Sequence, residues 1–77
     1  MGDADADLLA ALKTLRSKLA QTQRVPAYIV FSDRTLVDMA THRPKSSKAM
    51  REMHGVGETK LERYGAAFLN VIQTHAG

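Results

Sequence analysis

Leu8, Leu9, Leu12, Leu15 and Leu19 recur at steps of three and four along the first quarter of the chain. Turned by 100° per residue they fall within an arc of roughly 120°, which predicts an amphipathic helix over residues 5–21. Asp3 or Asp5 stands where its N-cap belongs. Lys13 and Lys18 point away from the leucine stripe and Arg16 lies at its margin. The polar run Gln21-Thr22-Gln23-Arg24 reads as a connector. Pro26, tolerated in the first turn of a helix and not in its interior, then opens a short turn. Val25, Ile29, Val30 and Phe31 are expected to supply core there.

Ser32, with Asp33 and Thr35 behind it, signals a second long helix whose buried side is Leu36, Val37, Met39 and Ala40. Pro44 ends it. Ser46 or Ser47 caps a short helix that groups Ala49, Met50 and Met53 on one side and Lys48 and Arg51 on the other. His54-Gly55-Val56-Gly57 breaks the chain, because two glycines flanking an apolar residue admit torsions that other residues resist. A last helix is expected from Glu58 to His75, with Leu61, Tyr64, Phe68, Leu69, Val71 and Ile72 on its apolar face. Gly65 in the middle of that face is expected to mark the close approach of a neighbouring helix or a kink. The pattern describes an all-α fold, a compact bundle of four or five helices with a helix-hairpin-helix-like element, forming one domain over residues 1–77 with an ordered core near 5–75.

Size narrows the function. A chain of 77 residues has room for one small core, which argues for a binding module over a self-sufficient enzyme. With 44% hydrophobic and 25% charged residues and no cysteine, it is a folded chain stabilised by packing, without disulfides or thiolate metal sites. The longest apolar run, Tyr28 to Phe31, is far too short to cross a bilayer, and the start of the chain lacks the basic and apolar regions of a secretion signal. No membrane contact is expected.

The net charge of +3 hides an uneven distribution. Residues 1–12 carry −3, residues 13–24 carry +4 through Lys13, Arg16, Lys18 and Arg24, and residues 39–51 carry +4 through Arg43, Lys45, Lys48 and Arg51. Either basic block can be a solvated helix face or a surface for a polyanion. Catalysis has little to draw on. Phosphate-loop and nucleophile-elbow motifs are absent, and His42, His54 and His75 lack the spacing of a metal site. No metal, cofactor or catalytic residue is expected.

Two features could carry binding chemistry. The segment Met50-x-x-Met53-x-Gly55-Val56-Gly57-x-x-Lys60-Leu61 has helix-hairpin-helix spacing. Its amides near Gly57, with Lys60, could take a phosphate, or the hairpin could serve only as a packing corner beside Glu58 and Glu62. Tyr28 follows Pro26 between Arg24 and Arg34. Its ring could stack on an unpaired base, or it could be a core residue with a wet hydroxyl.

The string Val25-Pro-Ala-Tyr-Ile-Val-Phe-Ser-Asp-Arg-Thr-Leu36, followed by Met53-His-Gly-Val-Gly-Glu-Thr-Lys-Leu-Glu-Arg-Tyr-Gly65, resembles the HRDC (helicase and RNase D C-terminal) domain over about residues 7–75. Tyr28, Val30-Phe31 and the Gly-Val-Gly hairpin look more like the version in bacterial RecQ-type DNA helicases than that of the RNase D group. The resemblance implies a five-helix accessory module, itself without catalysis, of an ATP-dependent helicase. Such a module contacts single-stranded or branched DNA and tunes unwinding in DNA repair and recombination, in the bacterial cytoplasm and associated with the nucleoid. Carried onto this chain, it points to Tyr28 as the DNA-contacting aromatic. Arg24, Arg34, Lys13, Arg16 and Lys18 become phosphate contacts, with Lys60 as a hairpin candidate. Asp33 and Asp38 beside that surface, and the acidic start, depart from a simple basic DNA binder. As an isolated domain it is expected to be a monomer. The alternatives are a regulatory docking module for its own helicase core or another protein, and an RNA-binding module of an RNase D-like nuclease.

Overall fold

A computed structural model describes residues 5–75 and forms five helices in the order α1 (Ala6–Gln23), α2 (Ala27–Val30), α3 (Asp33–His42), α4 (Ser47–Arg51) and α5 (Glu58–His75). Among the described residues there is no strand, in keeping with the all-α reading. Asp5 caps α1, its carboxylate accepting the Leu8 amide at 3.1 Å; Asp3, the other candidate, lies outside the described residues. The helix runs on through Gln21–Gln23, so most of the expected polar connector is helical. It stops at Arg24, whose left-handed backbone (φ 58°) turns its N–H back onto the carbonyls of Ala20 and Gln21.

Pro26 is the N-cap of α2 rather than its first residue, which suits its fixed φ of −60°. Ser32 and Ser46 cap α3 and α4 by accepting the amides of Thr35 and Ala49. Arg43 closes α3 in a second left-handed conformation (φ 48°), its N–H donating to the Met39 carbonyl.

Helix α1 packs against α2, α3 and α5, and α4 packs against α5. Leu8, Leu12, Val30, Phe31, Leu36, Met39, Met50, Phe68 and Ile72 are closed from water at their centre. Phe31 is the pivot of this core, set edge-on to Tyr64 and Phe68 at ring separations of 5.8 and 4.9 Å. Leu9, Leu15, Leu19 and Val25 pack at its rim.

Three packing expectations are corrected. Ile29 and Val37 are exposed at 43% and 41%, because a single-turn helix and a surface-facing turn of α3 leave them outside the arc that meets α1. Gly65 is buried, yet a side chain there would meet the Leu61 Cδ1 of its own helix at 2.9 Å, with no other helix in reach. Helix α5 runs through it without interruption.

Candidate nucleic-acid interface

The turn that ends α1, the single turn of α2 and the first turn of α3 form one continuous corner, because Arg24 reverses the chain and Pro26 restarts it two residues later. Tyr28 stands on that corner with 66% of its surface exposed. The core reading of this tyrosine is thereby excluded; Tyr64 is the buried one, its hydroxyl donating to Gln23 Oε1 at 2.8 Å. Arg24 and Arg34, on either side of Tyr28 in the chain, are exposed, as are Lys13 and Lys18 on α1.

Arg16 behaves differently from its neighbours. Its side chain is only 12% exposed, and Nη1 donates to the Phe31 carbonyl at 3.0 Å and lies 2.7 Å from Asp33 Oδ1. Its Nε is buried without a hydrogen-bond partner. The guanidinium thus ties α1 to the α2–α3 junction, facing the Phe31 carbonyl and Asp33 where Lys13, Lys18, Arg24 and Arg34 face solvent. The hydrogen bond and charge of Arg16, with a smaller contribution from Lys13, hold the Asp33 carboxyl below its ordinary value. Lys13 therefore shares the electrostatic neighbourhood of this corner.

Lys60 does not project from the hairpin. It is half-buried, with Nζ 5.7 Å from the centre of the Phe31 ring, a cation–π arrangement that carries it toward the α2–α3 junction. At the hairpin itself only Gly55 needs to be glycine. Its φ is +75°, and a Cβ there would lie 2.7 Å from Thr35 Oγ1, whereas Gly57 has open space around it. Asp38 accepts the His54 amide at 2.8 Å, and Arg51 pairs with Glu58 across the hairpin mouth. These contacts fit the packing-corner reading better than a phosphate cradle, since an acidic side chain occupies the first turn of α5.

Ile29 escaped the sequence reading as a surface residue. It stands exposed next to Tyr28, and four helical residues offer no periodicity from which its direction could be read. A shallow groove of about 480 Å³ runs along α3, lined by Arg34, Val37, Asp38, Thr41, Glu52 and His54. Its charges are mixed, and Asp38 is also engaged by His42 Nε2 at 3.1 Å. Among the described residues no group of three or more acidic, histidine or cysteine side chains is placed to hold a metal. Nor is any helix there long and apolar enough to cross a membrane.

The family model described as the HRDC domain matches residues 5–72. The chain is 45% identical to the ATP-dependent DNA helicase RecQ of Pasteurella multocida over 92% of its own length, and covers 11% of that protein. It is 41% identical to the ATP-dependent DNA helicase UvrD2 of Mycobacterium tuberculosis (strain H37Rv), again over 92% of the chain and 10% of the helicase. Among solved structures, HRDC domain 3 of D. radiodurans RecQ superposes with a TM-score of 0.86 at 36% identity, covering 90% of this chain and 91% of that one. The chain spans about a tenth of the curated helicases it matches, but nearly the whole of that isolated domain. With five helices in this order and the family model matching from the N-cap of α1 through the Tyr28 corner and the glycine hairpin into α5, the chain belongs to the HRDC domain family.

Proposed function

We propose that this HRDC domain is a non-catalytic accessory module of an ATP-dependent, RecQ-type DNA helicase, and that it binds single-stranded or branched DNA weakly to tune which substrates the helicase engages. The observation that carries the reading is Tyr28, 66% exposed on a turn whose flanking Arg24 and Arg34 are also in solvent. An aromatic face held among cations suits unpaired nucleic acid: the ring stacks on a base and the cations hold phosphates. Lys13 and Lys18 extend the basic surface along α1, and Lys60 adds charge near Phe31. Arg16 holds the turn in place. The helicases named above favour a DNA helicase parent over an RNase D-like nuclease, and with it a bacterial cytoplasmic setting at the nucleoid.

The mixed-charge groove along α3, with Val37 exposed in it, favours a second reading in which the domain docks on its own helicase core. Anisotropy titration of a labelled single strand at two salt concentrations separates the two. DNA binding predicts an affinity that falls as salt rises, with a slope of about −0.7 per neutralised phosphate. Absence of binding at low salt would sink the DNA reading and leave docking.

A further inference from the structure

The second basic block lies apart from the Tyr28 corner. Arg43 is nine residues beyond Arg34, at the opposite end of α3, and a helix of that length separates them by roughly 14 Å. Lys45 and Lys48 follow on the loop into α4 and on α4 itself. All three side chains are exposed, and residues 39–51 contain no acid. Neither lysine makes an ion pair among the described residues, and the one partner of Arg43, Asp5, is at 3.9 Å.

The segment is also preorganised. Buried Pro44 anchors it, the Arg43 amide is tied to Met39 at 2.8 Å, and Ser46 caps α4. Arg43 occupies a left-handed position that glycine fills at less cost. Arg24 does the same at the first corner, so a strained arginine closes a helix in each basic block.

The chemistry of the two ends differs. The Tyr28 end offers an aromatic face; the Arg43 end offers only cations, because Pro44 and Met50 are buried. A protein partner needs an apolar or aromatic anchor at the centre of its interface, whereas a phosphate backbone needs only positive charge. Between the two ends, Asp38 and Glu52 in the α3 groove disfavour a strand running continuously from one to the other. The surface therefore has two separate footholds.

We propose that Arg43, Lys45 and Lys48 form a second, backbone-only DNA face that takes the duplex arm of a single-strand/duplex junction, while the Tyr28 corner holds the unpaired strand. The assignment of the unpaired strand rests on the function proposed above; the duplex face stands on its own residues. The test uses three labelled ligands, a short single strand, a duplex hairpin, and the two joined as a junction, with wild type, Lys45→Gln/Lys48→Gln and Tyr28→Ala.

The lysine variant is expected to keep its single-strand affinity, which also shows that it is folded. It should lose on the order of 10-fold on the hairpin and the junction at low salt, with a salt slope smaller by about 2. Tyr28→Ala should show the reverse preference, weakened on the single strand and unchanged on the hairpin. Wild type that fails to bind the hairpin overturns the duplex face, as does a lysine variant that binds all three ligands normally or weakens on all three alike. A glutamate-rich peptide that binds wild type but not the lysine variant, with hairpin affinity intact in both, assigns the face to an acidic protein and overturns the proposal. Failure of single-strand binding alone removes the Tyr28 reading, and the hairpin data still decide the second face.

Discussion

Arg16 lies within α1 and Arg24 caps its end, but only Arg24 is in solvent; Arg16 is folded onto the Phe31 carbonyl and Asp33. The ion pair makes a pH prediction. Because the folded-state pKa of Asp33 is lowered, its contribution is complete above the unfolded aspartate value near 3.9 and is lost as pH falls through the lower folded value. Urea unfolding of wild type and Asp33→Asn should therefore differ at neutral pH, the gap starting to close only below about pH 4 and vanishing once pH lies below the lowered folded value; a gap unchanged across that acid range would assign the effect to something other than the charge. The hairpin gives a second residue-level prediction. Gly55→Ala must adopt a φ of +75° and press on Thr35 Oγ1, which is buried and hydrogen-bonded to Ser32 Oγ at 3.0 Å. A loss of about 2 kcal/mol is expected. Gly57→Ala, with open space and no positive φ, should stay within about 0.5 kcal/mol of wild type, and thermal unfolding of the pair checks both. The sequence placed Arg16 at the margin of the leucine stripe, but its partners are 15 and 17 residues away in the chain, so only the tertiary fold could show that it is not free. For the same reason the two glycines look equivalent in sequence until Thr35 is seen beside one of them.

At the scale of elements, legibility follows length. Helices α1, α3 and α5 have enough turns for a three-and-four repeat to build up, and their Asp5 and Ser32 caps are local signals, so their existence and starts are readable from the chain. The polar residues 21–23 hide the last turn of α1, since nothing apolar marks it although the helix continues to the left-handed Arg24. Helix α2 has four residues, too few for a period, and Ile29 looks like core because β-branched side chains usually are. Gly65 shows how a local oddity can have a local cause. The space beside it is filled by the tip of Leu61 on its own helix, a half-buried side chain that can swing aside. Gly65→Ala should therefore recover part of the roughly 1 kcal/mol that an interior glycine costs, a net gain of about 0.5 kcal/mol. A clear fall in Tm would instead mean that Leu61 cannot move without disturbing the core around Phe68.

For the whole molecule, the net charge of +3 says less than its placement. One basic block leads along α1 into the corner that carries exposed Tyr28 at the start of α3, the other lies beyond the far end of α3, and Asp38 and Glu52 line the groove along that helix. The charge blocks are visible in the chain, but their separation depends on how α1 and α3 pack. Tyr28 was readable only as a choice between core and surface; the fold resolved it by giving the core to Tyr64 and Phe31. The central claim is that the Tyr28 ring stacks on an unpaired base. Its most direct test is single-strand affinity at fixed low salt for wild type, Tyr28→Ala and Tyr28→Phe. Stacking predicts a loss of about 1 to 3 kcal/mol for the alanine variant and near-wild-type binding for phenylalanine, which keeps the ring. Equal binding by all three proteins would contradict the account.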